Sequence, residues 1–234
     1  MINLPDETKR TTIVGRTGSG KTWFGVWLLS MQNFLSMPWV ILDFKRDNLL
    51  NSLGAQEITL QEIPIDAGLY IARVMPHDVE AVDNFLNEVW KVGRIGLFID
   101  EAMSPAIVKS SAYGVVMTQG RALRIPVINC TQRPAWLNNV TLSESDYFAA
   151  FALNRKDDRK RISEFAGDED YGDIFKNLNQ YHCRWVDVSS NTISTIKPVP
   201  EKQLLIKSFA DKLIIQEETD DVLVDSEKEK VTVL

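Results

Sequence analysis

The 234-residue sequence predicts an α/β protein with a mostly parallel central sheet flanked by helices. Two observations predict it. Short, continuous apolar runs alternate with segments of helical periodicity, and strands so uniformly apolar belong to parallel sheets buried on both faces. The octapeptide from Gly15 to Thr22, G-R-T-G-S-G-K-T, is a complete phosphate-binding loop set between a strand-like and a helix-like segment, which is the context that motif requires.

The elements follow in order. Residues 1–10 read as a polar lead-in, and Thr11-Thr12-Ile13-Val14 is β-branched and apolar, a first strand over 11–15. Apolar residues at helical spacing from Trp23 to Gln32 predict a helix to about residue 33. Pro38 precedes a buried-type strand, Trp39 to Leu42, that ends at Asp43; residues 47–66 read as a short helix and irregular structure. Leu69 to Met75 predicts a strand. Asp78 to Lys91 predicts an amphipathic helix with Val79, Val82, Phe85, Leu86 and Val89 on one face and Asp78 as its cap. Ile95 to Ile99 is another apolar strand, followed by a helix over Tyr113 to Leu123 and a strand over Val127 to Thr131. Tyr147 to Leu153 is strand-like and leads into a charged helix at about 156–165. Tyr181 to Val188 and Thr192 to Lys197, separated by Ser-Ser-Asn, predict a C-terminal hairpin, and 202–215 predicts a helix. Beyond 216 the chain is acidic and lacks aromatic residues, the composition of a disordered tail. The expected organisation is one domain over 1–215 and a tail over 216–234.

Composition narrows the function classes. Hydrophobic content of 44% and charged content of 25% are ordinary for a globular protein. No apolar run approaches the roughly 18 residues that span a bilayer, and the first residues carry no basic segment followed by an apolar one. Cys130 and Cys183 lie in apolar strand-like segments and are expected to be buried thiols, which suits a reducing cytosol. Two histidines and two cysteines without ligand spacing do not make a zinc site. The net charge of −6 is concentrated in residues 217–230, where seven acids meet two bases, so the remaining body is close to neutral. A neutral body neither predicts nor excludes a nucleic-acid partner; a local basic patch would decide that.

The chemistry begins at the loop. Gly15, Gly18 and Gly20 are expected to supply positive φ and close approach to phosphate oxygens, and with Arg16, Thr17 and Ser19 their N–H groups form an anion nest at a helix N-terminus. Lys21 would reach the β- and γ-phosphates, and the Thr22 hydroxyl would ligate Mg²⁺. The strand Ile95 to Ile99 ends in Asp100-Glu101. Asp100 suits Mg²⁺ coordination through water, and Glu101 is placed to polarise an attacking water as general base. An adjacent base argues for hydrolysis over phosphate transfer to a metabolite. Gln132, after the strand Val127 to Thr131, has an amide able to bond both a γ-phosphate oxygen and a water.

The run Gly120 to Pro134, G-R-A-L-R-I-P-V-I-N-C-T-Q-R-P, resembles the FtsK–HerA superfamily of DNA-pumping ATPases, whose members carry a G/A-R segment, an apolar strand and then T/S-Q-R-P. Asp43-Phe44-Lys45 is similar to the superfamily's D-x-K, and Phe148 to Gly167 resembles its next strand and helix, so the resemblance covers about residues 10–167. It implies a RecA-like P-loop NTPase (ASCE) fold, ATP and Mg²⁺ as cofactors, a hexameric ring, and double-stranded DNA as the partner. It also implies an arginine finger donated to the neighbouring subunit, for which Arg121 is the candidate, with Arg124 and Arg133 as alternatives and Arg16 as a finger in cis. A guanidinium fork stabilises the dispersed charge of phosphoryl transfer, which gives the role a physical basis. The compact architecture is similar to the genome-packaging ATPases of tailless icosahedral viruses with internal membranes, which implies a location at the virion vertex or in the host cytoplasm and a capsid or membrane docking partner. A plasmid-transfer or phage-assembly motor of the zonula-occludens-toxin type, a small-molecule kinase and a nucleotide-dependent switch are the other readings. For DNA contact the sequence offers Arg155 to Arg161, with five bases in seven residues, and a loop over Ser104 to Tyr113 facing a pore.

Overall fold

The computed structural model of the protein describes residues 3–166 and 173–213, so the acidic tail expected beyond 216 lies outside the described residues. The element order begins with β1 (Arg10–Val14), α1 (Lys21–Ser30), β2 (Pro38–Asp43), α2 (Asn48–Asn51), β3 (Gln56–Ile58), β4 (Gly68–Arg73), α3 (Val79–Val92) and β5 (Gly96–Asp100). It continues with α4 (Pro105–Val108), α5 (Ser111–Gln119), β6 (Val127–Thr131), α6 (Asn139–Ser143), β7 (Tyr147–Ala150), α7 (Lys156–Ala166), β8 (Cys183–Asp187), β9 (Thr192–Ile196) and α8 (202–213).

Among the described residues nine strands form one sheet in the order β3-β4-β2-β5-β6-β1-β7-β8-β9. Strands β1 to β7 run parallel, and the hairpin β8–β9 extends the sheet antiparallel from β7. The uniform apolarity of the central strands has the predicted cause: side chains alternate between two cores. Ile13, Ile41, Phe98, Ile128 and Cys130 pack on one face beneath Phe24, Leu28, Leu49 and Phe209 from α1, α2 and α8. Val14, Leu42, Leu97, Ile99 and Val127 pack on the other beneath α3, α5, α6 and α7. Helix α3 buries Val82, Phe85, Leu86 and Val89, and Asp78 caps it by accepting from the Ala81 N–H at 3.1 Å. Both cysteines are free and buried; burial pushes the Cys183 thiol up to about 12 and raises Cys130 as well.

The structure departs from expectation in several places: α5 ends at Gln119, β7 ends at Ala150, and a short helix, α6, was not expected. Residues 56–58 form an edge strand, too short and too exposed to carry an alternating pattern. The expected pore loop over 104–113 is instead α4 and the start of α5. There Ser110 is buried, accepts from the Tyr113 N–H at 2.9 Å and bonds Asp83, and Ser111 donates to the same carboxylate at 3.2 Å. Those serines are spent on capping and anchoring, and only Lys109 and Ser111 in the segment are exposed. Finally, β8 starts at Cys183, because Tyr181 adopts a left-handed φ of 60° that breaks the strand.

One glycine is needed for space. Gly96 pairs with Trp39, and a Cβ there would sit 2.2 Å from the indole Cδ2 of a side chain that is itself buried. Gly96→Ala is therefore expected to destabilise the fold by about 3 kcal/mol through overpacking. Urea denaturation checks this, and an unchanged midpoint would mean that Trp39 can swing clear.

Candidate nucleotide site

Sheet order brings the site together. Four neighbouring strands, β2, β5, β6 and β1, end on the same edge, with Asp43 opposite Asp100, Asp100 opposite Cys130, and Val14 opposite Thr131. The phosphate loop, Gln132, the Asp100-Glu101 pair and Asp43 therefore line up across adjoining strand tips, the crevice in which open parallel sheets bind ligands.

Within the loop, Gly18 and Gly20 have φ of 76° and 97°. Gly15 does not take a left-handed φ; its requirement is space, since a Cβ would lie 2.5 Å from Ser19 Oγ and 2.8 Å from Phe151 Cβ. The Gly15 N–H bonds the Thr131 carbonyl at 3.1 Å, tying the loop to β6. Gly20 precedes α1 without a side-chain cap, which leaves the first N–H groups of the helix free for an anion. Arg16, Thr17 and Gly18 are exposed, whereas Lys21 is buried.

Thr22 Oγ1 donates to Asp100 Oδ1 at 3.3 Å. Asp100 is fully buried, its Oδ2 has no hydrogen-bond partner, and burial raises its pKa against the opposing pull of Lys45 and Lys21. A desolvated carboxylate with an orphaned oxygen beside a hydroxyl is a hard-oxygen donor set that fits Mg²⁺. No group of three or more His, Cys, Asp or Glu side chains able to hold a metal occurs among the described residues.

Glu101 sits at a left-handed φ of 71° immediately after β5, and its carboxylate is the hub of a chain of contacts. Thr17 Oγ1 donates to Gln132 Oε1 at 2.9 Å, Gln132 Nε2 donates to Glu101 Oε1 at 3.0 Å, and Lys45 Nζ pairs with the same oxygen. Lys45 had only the D-x-K resemblance to mark it, and its place in this chain could not be read from the sequence. Asp43 sets it there by accepting from the Lys45 N–H at 3.0 Å and the Asp47 N–H at 3.3 Å. Burial lowers the Lys45 pKa, the largest influence on it, while Asp100 acts in the opposite direction.

The arginines separate cleanly. Arg133 donates from Nε to both carboxylate oxygens of Asp158 at 3.2 and 2.9 Å, and its guanidinium lies 4.7 Å from the Trp136 ring centroid. It anchors α7, so this alternative to Arg121 is committed to structure. Arg121 is 56% exposed and makes a long ion pair, 3.7 Å, with Asp146, whose carboxylate also accepts from the Arg10 N–H at 2.9 Å. That is the end at which β1 begins, whereas the phosphate loop follows its other end; a five-residue strand separates them by about 16 Å. Arg124, exposed with φ 54°, is on the same turn as Arg121. Neither is brought to its own loop.

The fold and site define a P-loop nucleotide-binding protein with a mostly parallel sheet. No family model matches the chain. It is 33% identical over 218 residues to the DNA packaging ATPase P9 of Enterobacteria phage PRD1, spanning 89% of this chain and 95% of that protein. The genome packaging NTPase B204 of Sulfolobus turreted icosahedral virus 2, solved with AMPPCP, shares the fold at a TM-score of 0.69 and 21% identity, over 84% of this chain and all of that one. VirB4 of Thermoanaerobacter pseudethanolicus shares it at a TM-score of 0.61 and 12% identity, over 86% and 92%. The chain belongs to the family of the DNA packaging ATPase P9, and the resemblance resting on Arg121 to Pro134 is borne out.

Proposed function

We propose that this protein is an ATP-hydrolysing motor that moves double-stranded DNA, packaging a viral genome into a preformed capsid. The observation that carries the hydrolytic part is the convergence of Glu101 and Gln132 on the phosphate loop, beside the Thr22–Asp100 contact. The packaging part rests on the 33% identity to P9 over nearly the whole of both chains.

In this reading the N–H groups from Gly15 to Thr22 hold the β- and γ-phosphates, and Lys21, buried at the start of α1, neutralises their charge. Mg²⁺, held by Thr22 and by Asp100 directly or through water, would neutralise charge on the phosphate oxygens. A γ-phosphate entering at Thr17 competes for the Gln132 amide; Lys45 stays on Glu101 Oε1, and Oε2 is the oxygen that takes a proton from water. Arg121, remote from its own loop, serves the nucleotide of an adjacent subunit, which makes hydrolysis depend on assembly of a homo-oligomeric ring, for which six is the expected number. The ATPase unit spans 1–215, with 216–234 as an acidic solvating extension, and the ring acts at the virion vertex during assembly in the host cell. No helix among the described residues is long and apolar enough to cross a membrane; a capsid-vertex or membrane protein is the docking partner in this reading.

Steady-state ATPase rate against protein concentration, with and without long duplex DNA, tests the reading. The expected result is cooperative concentration dependence and strong stimulation by duplex DNA. Turnover that is strictly first order in protein and indifferent to DNA would sink it.

A further inference from the structure

The segment that includes the hairpin and α8 takes no part in the chemistry above, yet it closes over the phosphate loop. The Tyr181 ring lies against Gly20, where a Cβ would meet its Cδ1 at 3.0 Å. The same ring meets Trp23 edge-on, with centroids 5.5 Å apart at 72°. Trp23 Nε1 donates to the Pro200 carbonyl at 2.8 Å, and at the other end of α1 Lys212 Nζ donates to the Gln32 carbonyl at 3.1 Å. The C-terminal segment is thus fastened along α1 at both ends.

Between α1 and this segment a cavity of about 240 Å³ opens directly from Lys21 and Thr22, with Tyr181, Trp23 and Leu49 among its lining and the charged Asp47 and Lys202 beside them. The lining joins the groups that hold phosphate, Gly18, Gly20, Lys21 and Thr22, to the rings of Trp23 and Tyr181, so a triphosphate held by the loop has the aromatic wall within the same cavity. An aromatic wall beside the groups that hold phosphate matches a flat, weakly polar group joined to that phosphate.

We propose that this cavity receives the nucleobase and ribose of the bound nucleoside triphosphate, with Tyr181 as the stacking face. The proposal rests on the nucleotide-binding reading of the phosphate loop and adds to it the residue by which the site tells a nucleotide from bare polyphosphate. The left-handed φ at Tyr181 is the backbone feature that turns the ring back from β8 onto the loop. Stacking accepts any base through its π face, and its loss on removal of an aromatic ring is worth a factor of about 10 to 100 in affinity.

Titration calorimetry of the full chain with ATP and, separately, with tripolyphosphate tests this in Tyr181→Ala, Tyr181→Phe and Lys21→Ala. Tyr181→Ala is expected to bind ATP about 10- to 100-fold more weakly while binding tripolyphosphate as the parent does, and Tyr181→Phe to bind both as the parent does. ATP affinity unchanged in Tyr181→Ala overturns the proposal. So does an equal loss for ATP and tripolyphosphate, since Tyr181 would then only buttress Gly20. Lys21→Ala is expected to weaken both ligands; if it weakens neither, the phosphate-loop reading fails, an outcome distinct from failure of the base pocket.

Discussion

Arg121→Ala is expected to lower ATP turnover by about 10³- to 10⁵-fold, the range for an arginine finger supplied in trans, while leaving ATP binding and thermal stability as they are. Stability should hold because the side chain is 56% exposed and its ion pair with Asp146 is long; such pairs contribute about 0–1 kcal/mol. Binding should hold because Arg121 lies at the edge of the sheet where β1 begins, away from its own phosphate loop. The geometry adds a sharper expectation. A ring built from head-to-tail contacts pairs one subunit's loop with the next subunit's Arg121, so two inactive variants can repair each other. In an equal mixture of Arg121→Ala and Lys21→Ala subunits, about a quarter of the interfaces join an intact loop to an intact arginine. Recovered turnover in the mixture, with neither variant active alone, is the expected result. Full activity of Arg121→Ala alone, or loss of ATP binding in it, would remove the role, and Arg124, on the same turn, would be the next residue to test.

What the sequence disclosed depended on how local the underlying physics was. The central strands are buried on both faces, so their apolar runs mark them without any knowledge of neighbours, and the phosphate loop needs particular residues at fixed offsets. The two acids at the tip of β5 and Gln132 at the tip of β6 were found because a strand tip is a definable place in a linear pattern. Order across the sheet was not visible in that way. Only the pairing of β6 with both β1 and β5 shows that Gln132 stands between the loop and Glu101. Lys45 joins the same chain from β2, on the far side of β5, a neighbour fixed by topology. Arg133 shows the converse: next to Gln132 it looked like a candidate finger, and its commitment to Asp158 is a contact over 25 residues that no local pattern encodes. The segment 104–113 misled for a similar reason. Its small polar residues read as a loop, but Asp83 on α3 receives two of its serines and converts them into an anchor.

Glu101→Gln is expected to reduce hydrolysis by about 10²- to 10⁴-fold, the contribution of a positioned general base, and to leave the protein charged with ATP. The substitution is informative because it alters so little else. A glutamine carbonyl can still accept from Gln132 Nε2 and Lys45 Nζ, so the chain from Thr17 to Lys45 keeps its donors and acceptors. The left-handed φ of 71° constrains glutamine and glutamate alike, so backbone strain does not change with the substitution. What is lost is a group that can take a proton, together with the charge facing Lys45. Thr22, Asp100 and Lys21 are untouched, which is why nucleotide should be retained. Single-turnover hydrolysis together with retention of radiolabelled ATP on a filter reads both consequences. Hydrolysis within a few-fold of the parent would show that proton removal from water does not limit the rate at Glu101. Glu101→Ala separates the remaining possibility: it frees Gln132 and Lys45 as well as removing the base. If the alanine variant alone were slow, Glu101 would be acting as the fixed point of the chain, holding the amide and the ammonium in position, rather than as the acceptor of the proton.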